Sequence, residues 1–498
     1  MLRPTVDQKS LTSEFMTAEH FDVLVIGAGI SGIGAGYYLQ TKSPNKSYAI
    51  LEGRSNMGGT WDLFRYPGIR SDSDMYTLGY AFKPWTEAKS IANGPNILKY
   101  LKETAAEYGI DKHIRYNQKV QKASWSSEES LWTLEVATGE QGKATTYTCN
   151  FFFQCSGYYN YDAGFTPDFA GRERFSGPVI HPQFWPEDLD YNDKKVVIIG
   201  SGATAVTLLP KIAENAEHVT MLQRSPTYMV SAPATDPLSS KLRKYLPEKF
   251  IYRILRWRNV LMGMAMFWYM RKKPERSKDL LIGWLKPQLD AGYDIERHFT
   301  PSYKPWDQRL CLVPEGDLFT AIRKGDASVV TDHVDTFTES GILLKSGEEL
   351  QADIIVTATG LDMQLGGNIA VFVDGEPVDY SKKMTYKGMM LSDIPNMAFA
   401  MGYTNASWTL KVDITCEHVC RILNYMDQHH YKSCVPHCNE DEWEEEDMLD
   451  FSSGYVQRAL GKLPKSGARK PWKLYQNYVL DLITLGFGKV THRALRFK

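Results

Sequence analysis

Residues 21–40 read FDVLVIGAGISGIGAGYYLQ: an apolar run from Val23 to Ile26 enters a turn carrying Gly27, Gly29 and Gly32, and a helical pattern follows. A short buried strand, a glycine turn and a helix open a parallel βαβ unit. The glycines let a pyrophosphate approach the backbone and meet the positive N-terminus of the helix. The next strand pattern, SYAILE, ends on Glu52, about twenty residues past the turn, where a carboxylate accepts hydrogen bonds from a ribose. Strand before, helix after and acid on the following strand together mark a dinucleotide site rather than a bare structural turn.

The same plan recurs at residues 194–213, KKVVIIGSGATAVTLLPKIA, with Gly200, Gly202 and Ala205 in the glycine positions. Its second strand, HVTMLQR, ends on Arg224 and Ser225 instead of an acid. A carboxylate there would repel a ribose 2′-phosphate, whereas a guanidinium and a hydroxyl bind it. The first unit is therefore expected to hold FAD. The second turn and helix start (Gly200, Ser201, Gly202, Ala203, Thr204, Ala205, Val206), with Arg224 and Ser225, are expected to hold NADPH.

Composition agrees with a multidomain globular chain. The 498 residues exceed one compact core, and 43% hydrophobic with 23% charged residues exclude a disordered chain. Lys+Arg 57 against Asp+Glu 59 leaves a formal charge of −2, with no global field for nucleic acid. The first twenty residues hold no signal-peptide core, and seven dispersed cysteines do not suggest a disulfide framework, so a cytoplasmic setting is expected. An α/β fold follows, with two Rossmann-like dinucleotide domains. Residues 1–160 and 361–498 are expected to build the FAD domain. Residues 161–360 should form the NADPH domain, interrupted by a helical insertion at about 232–300.

Three other stretches invite a function. The basic-flanked apolar segment 253–273 is expected to wall a hydrophobic substrate channel, with a peripheral membrane contact as the alternative. The acidic run at 439–450 reads as a solvated face. Cys416 and Cys420, near Cys434, Cys438, His429, His430 and His437, resemble a zinc set, but their spacing places the first pair on one face of a core helix, so no metal is expected.

Two dinucleotides in one chain imply hydride transfer between NADPH and flavin, a step that reductases and monooxygenases share. The stretch GRSNMGGTWDLFRYPGIRSDSD after Glu52 contains no cysteine, which removes a thiol reductase of the kind that places its redox pair there. Residues 175–186, FSGPVIHPQFWP, match the pattern FxGxxxHxxxW[P/D] through Phe175, Gly177, His181, Trp185 and Pro186. Gly58, Gly59, Trp61, Tyr66, Pro67, Gly68 and Asp72 match GGxWxxxx[F/Y]PGxxxD. The chain thus resembles the type I Baeyer–Villiger monooxygenases, class B flavoproteins, over nearly all of its length after residue 20. Stretches such as CSGYYNYD, PWDQRLCLVP and GYTNASWTLK resemble their ethionamide-activating branch most.

That resemblance implies conversion of ketones to esters or lactones with NADPH and O2 through a flavin C4a-peroxide, and oxidation of sulfides or thiocarbonyls besides. An N- or S-oxygenating flavin monooxygenase is the alternative. It implies Arg309 as the cation that stabilises anionic oxygen, since arginine keeps its charge at operating pH, and Asp72 as its partner. Arg65 and Arg70 compete for that role. Cofactor contacts implied in the same way are Ser31, Thr60, Trp61, Asp62 and Leu63 on the flavin side, Val120 near the adenine, and Arg70, Ser71 and Asp72 where the nicotinamide meets the flavin. His181 is expected to couple the two domains as a hinge. Substrate length, regiochemistry and oligomeric state are not readable from the sequence.

Overall fold

The computed structural model describes residues 18–439 and 445–498. Strand β1 (Glu19–Ile26) lies in the middle of the first sheet, parallel to β2 (Tyr48–Leu51) on one side and to β6 (Lys143–Gln154) on the other. Its last four residues are buried, as a parallel strand covered on both faces requires. β3 (Ile114–Arg115) joins β2, while β4 (Gln118–Ser126) and β5 (Leu131–Thr138) continue antiparallel from β6. The stretch IRYNQKV reads as one strand ending at Val120, but the structure divides it. Asn117, at φ 54°, turns the chain from β3, which pairs with β2, to β4, which pairs with β5, so Val120 lies inside β4.

The second sheet is wholly parallel, in the order β13–β10–β9–β17–β8: β8 (Val179–Ile180), β9 (Lys195–Ile199), β10 (His218–Gln223), β13 (Ala327–Thr331) and β17 (Ile354–Thr357). The chain crosses between the sheets twice. The outward crossing, β7 (Tyr159–Gly164), pairs antiparallel with the return, β18 (Leu361–Met363). Beyond it, β19 (Ala370–Val373) and β20 (Glu376–Pro377) rejoin the first sheet beside β4, and residues 397–399 pair with β6. β14 (Val334–Phe337), β15 (Gly341–Leu344) and β16 (Glu349–Gln351) form a separate antiparallel meander.

Helix α1 (Ile30–Lys42) follows β1, and α2 (Thr60–Leu63), α3 (Met75–Leu78) and α4 (Gly94–Glu107) line the route to β3. Helix α5 (Ala203–Ile212) follows β9. Phe64, Tyr66 and Ile69 belong to the hydrophobic cluster of the second sheet, although they stand between β2 and β3. This cross-packing fixes the segment carrying Asp72 between the two units.

Two strands that pair in parallel, β11 (Met229–Ala232) and β12 (Cys311–Pro314), bracket four helices: α6 (Pro237–Leu242), α7 (Glu248–Lys272), α8 (Pro274–Leu285) and α9 (Ile295–Phe299). Helix α10 (Asp317–Lys324) follows β12, and α11 (Trp408–Gln428), α12 (Gly454–Ala459) and α13 (Tyr478–Asp481) belong to the last part of the chain. No helix among the described residues is long and apolar enough to cross a membrane. Residues 1–17 and 440–444, which include most of the first twenty residues and part of the acidic run, lie outside the described residues; Glu445, Glu446 and Asp447 are exposed, and Met448 and Leu449 are buried. Cys416 and Cys420 pack in the core of the first sheet.

Candidate functional site

The first glycine turn opens onto a cavity of about 450 Å³. Gly27, at φ 99°, bends the chain away from β1; a Cβ there would stand 2.8 Å from the Cys155 carbonyl oxygen. Gly29 and Gly59 face each other, the Gly29 Cα only 3.0 Å from where a Gly59 Cβ would sit. Two backbones without side chains thus form a narrow trough of the kind a diphosphate can enter. Glu52 is 6% exposed and lines this cavity. The Ala28 N–H donates to its Oε2 (2.7 Å) and the Arg54 N–H to its Oε1 (2.9 Å). Burial pushes the carboxyl up, and these backbone donors oppose the shift. Each oxygen retains lone-pair capacity for a ribose hydroxyl.

The same cavity reaches the second unit. Its wall brings together Gly27, Gly29, Ser31, Glu52, Thr60, Trp61, Arg70, Ser71, Asp72, Val120, Ala203, Thr204 and Arg309. Helix α5 therefore contributes its first turn to the wall, as expected of a nicotinamide site set against a flavin site. The remaining predicted residues lie outside the cavity lining. Gly32 sits beneath the first turn. The Asp62 carboxylate is 3% exposed and paired with Arg54 at 2.7 Å, and Leu63 packs on the second sheet's core. Ala205 and Val206 turn inward, wholly buried, leaving only backbone for a cofactor contact. Gly200, Ser201 and Gly202 form the second turn, and a Cβ on Gly202 would meet nothing within 4 Å. Ser201 Oγ lies 2.8 Å from Thr227 Oγ1. Arg224 and Ser225 are exposed beyond the end of β10.

Arg309 stands just ahead of β12, after a turn in which Trp306 adopts φ 71°. Its Nε lies 3.0 Å from Asp72 Oδ2 and its Nη2 3.5 Å from Oδ1. About a third of each side chain is exposed, so the pair faces the cavity. The Asp72 carboxylate raises the pKa of Arg309 further, against the opposing effect of burial. The competing arginines are engaged elsewhere. Arg70 forms a two-armed ion pair with Asp317 on α10, and Arg65 binds Glu187 at 2.6 Å and Asp62 at 3.6 Å.

Several wall residues had no individual assignment from the sequence. Tyr158 stacks on Trp408 (4.8 Å, 19°), the two tyrosine hydroxyls of Tyr158 and Tyr159 lie 2.6 Å apart, and the Trp408 indole N–H donates to Ser31 Oγ at 2.8 Å. All three aromatics occur in CSGYYNYD and GYTNASWTLK, so the signal was present in the stretches that carry the resemblance. Arg458 on α12 was also missed. A Cβ on Gly454 would meet Arg458 Nη1 at 3.3 Å and Arg224 Nη2 at 4.0 Å, so two guanidinium groups flank one spot. Burial and the neighbouring Arg224 hold the Arg458 pKa below its usual value, while Asp362 opposes them. Nothing in the local sequence joins residues 224 and 458; only the fold does.

Comparison with known proteins fits this geometry. Residues 90–390 match the family described as flavin-binding monooxygenase-like, and residues 25–93 match an NAD(P)-binding Rossmann-like domain. The chain belongs to the flavin-binding monooxygenase-like family and is a flavin-dependent monooxygenase. Within it, the chain is 56% identical to the FAD-containing monooxygenase EthA of Mycobacterium tuberculosis, over 96% of this chain and 98% of that one. Identity to EthA of Mycolicibacterium smegmatis is 54%, over 96% and 97%. The expected branch is therefore the right one. The fold is shared with a cyclohexanone monooxygenase from Rhodococcus sp. Phi1 solved with NADP+, at TM-score 0.77 and 19% identity, covering 97% of this chain and 100% of that one.

Proposed function

We propose that this chain is an NADPH- and O2-dependent, FAD-containing Baeyer–Villiger monooxygenase that converts ketones to esters or lactones and also oxidises sulfides or thiocarbonyls. The residues present fit both cofactors. FAD would lie in the Gly29/Gly59 trough with its ribose at Glu52, where the buried Ser156 Oγ has no hydrogen-bond partner among the described residues. NADPH would lie across the open Gly202 turn with its 2′-phosphate at Arg224 and Arg458. Bound there, NADPH supplies a hydride and the flavin supplies the electrons that activate dioxygen.

What carries the reading is the Arg309–Asp72 pair at 3.0 Å in a wall shared by the first turn and the start of α5. Arg309 holds a permanent positive charge, and its remaining N–H groups are free to stabilise anionic oxygen during attack on a carbonyl. Asp72 grips the guanidinium from the Nε side and so orients the free edge. A thiol-based reductase does not suit this wall. Burial raises the thiol of Cys155 in this wall, and pushes that of Cys311, next to the wall residue Leu312, up to about 12, so neither is a thiolate nucleophile at neutral pH.

The test is Arg309→Ala assayed with a ketone and a sulfide. NADPH consumption should persist, oxygenated product should fall on the order of a hundredfold or more, and hydrogen peroxide should accumulate. Undiminished ester formation would remove Arg309 from the mechanism. A wild-type enzyme that oxygenates only the sulfide would replace the ketone reading with an S-oxygenating one.

A further inference from the structure

The segment expected to wall a substrate channel falls on α7, whose inner face packs just behind the cavity: Val260 and Met264 share a cluster with Tyr403 and Ala406, which line it. No residue of α7 lines the cavity itself, and many of its apolar side chains point into solvent. Phe250, Ile254, Trp257, Leu261 and Trp268 are 58%, 45%, 39%, 54% and 61% exposed, at spacings of four, three, four and seven. That is a single stripe along one helix face. In the first half of the helix the opposite face, through Ile251, Leu255, Arg256 and Val260, is buried against the body of the protein; farther along, Met262, Met266 and Tyr269 are exposed as well. Helix α7 is therefore held by one apolar face and presents a second one outward. A soluble surface rarely keeps a contiguous patch of this kind without a partner.

We infer that the outer face of α7 docks onto the surface of an anionic lipid bilayer, lying in the plane of the interface. Charge selects this occupant. The helix has one acidic residue, Glu248, and Arg243 engages it at 3.0 Å. Lys249 and Arg253 stand exposed beside Phe250 and Ile254, and Lys272 lies over the Trp268 ring at 4.7 Å. No charged side chain interrupts the helix between Asn259 and Arg271. Cations flanking an uncharged stretch and tryptophans along the stripe are what a helix needs to sit at the headgroup boundary. A second copy of the chain would bring these cations against their own equivalents across a twofold interface, where like charges repel.

The patch continues beyond the helix. The Trp257 ring lies 5.8 Å from Tyr478 at the start of α13, and the following turns expose Ile483 (54%) and Phe487 (79%), with Lys489 exposed next. A second part of the chain thus adjoins the α7 stripe at Trp257 and exposes further apolar residues and a cation a few residues on. The whole protein carries a formal charge of only −2, so the attraction rests on this face rather than on a global field.

The experiment is flotation of the full-length holoenzyme with phosphatidylcholine vesicles, with and without about one-third phosphatidylglycerol, at low and high salt. Two variants accompany it, Leu261→Ser/Trp268→Ser and Lys249→Glu/Arg253→Glu. The wild type should float with the anionic vesicles, and each variant should lose about tenfold in partitioning. High salt should weaken the wild type, while thermal melting and NADPH oxidation stay unchanged in both variants. Absence of the wild type from every vesicle fraction overturns the inference, as does equal flotation of wild type and variants. Sedimentation that shows a dimer dependent on Leu261 and Trp268, without lipid binding, assigns the face to a second copy instead.

Discussion

At the first glycine turn, a Cβ on Gly32 would stand 1.8 Å from the Gly27 carbonyl oxygen; at the second, the same position carries Ala205, buried without conflict. Gly29 of the first turn abuts Gly59, while a Cβ on Gly202 of the second would meet nothing within 4 Å among the described residues. The first strand pair ends in a buried acid and the second in an exposed arginine. One sequence plan has therefore produced a closed cradle, which suits a cofactor that stays, and an open ledge, which suits one that comes and goes.

The largest effect should follow from forcing the closed turn open. Gly32→Ala cannot place its methyl group without separating α1 from β1, and overpacking of this kind costs about 1–3 kcal/mol. The variant should melt lower and purify with less flavin absorbance. Gly202→Ala should melt like the wild type, since its φ of −78° suits alanine and its surroundings are empty, yet its KM for NADPH should rise as the methyl group enters the path of the pyrophosphate. Equal melting temperatures for the two variants would end the distinction between cradle and ledge.

A smaller effect tests what the ledge recognises. Arg224→Ala should raise the KM for NADPH about tenfold while leaving NADH almost unchanged, because a charge-assisted contact to the 2′-phosphate is lost. Arg458→Ala should move the same ratio in the same direction by a few-fold. Should Arg458→Ala weaken NADPH and NADH alike, its part would be to support α12 rather than to read the phosphate.

The contrast between the turns also shows what the sequence discloses. Gly27, Gly29 and Glu52, and Arg224 in the second unit, stand at spacings set within a single βαβ unit, so local pattern singles them out. The Arg309–Asp72 pair spans two segments, and the resemblance rather than any spacing indicated it before the fold brought the two together. Arg458 reaches Arg224 only through packing of the last part of the chain, and no periodicity records that. Segment 253–273 stays ambiguous in the sequence for a related reason. A helix apolar on two faces has the same composition whether it walls a channel or meets the exterior, and only packing separates the cases. Asn117 broke an apparently continuous strand because neighbouring pairings, not propensity, set where β3 ends.

The smallest expected effect concerns the two crossings that join cradle to ledge. His181 rests on Gly164, where an added Cβ would lie 2.1 Å from its Cε1, and the glycine leaves room for the ring between β7 and β18. The Gln183 N–H donates to Nδ1 at 3.2 Å, so the proton belongs on Nε2, which donates to the Gly360 carbonyl at 3.1 Å. Burial holds the His181 pKa below its usual value, the Gly360 hydrogen bond opposing in part. The unfolded chain therefore binds a proton near pH 6.5 that the folded chain refuses. Its contribution to stability is complete above that pH and is lost as pH falls through the lower folded value. His181→Gln should melt slightly below the wild type at neutral pH, and the gap should close by on the order of a degree or two as the pH is lowered to 5.5. A gap that stays constant over that range would mean the ring is not held neutral, and that the crossings are joined by β7–β18 pairing alone.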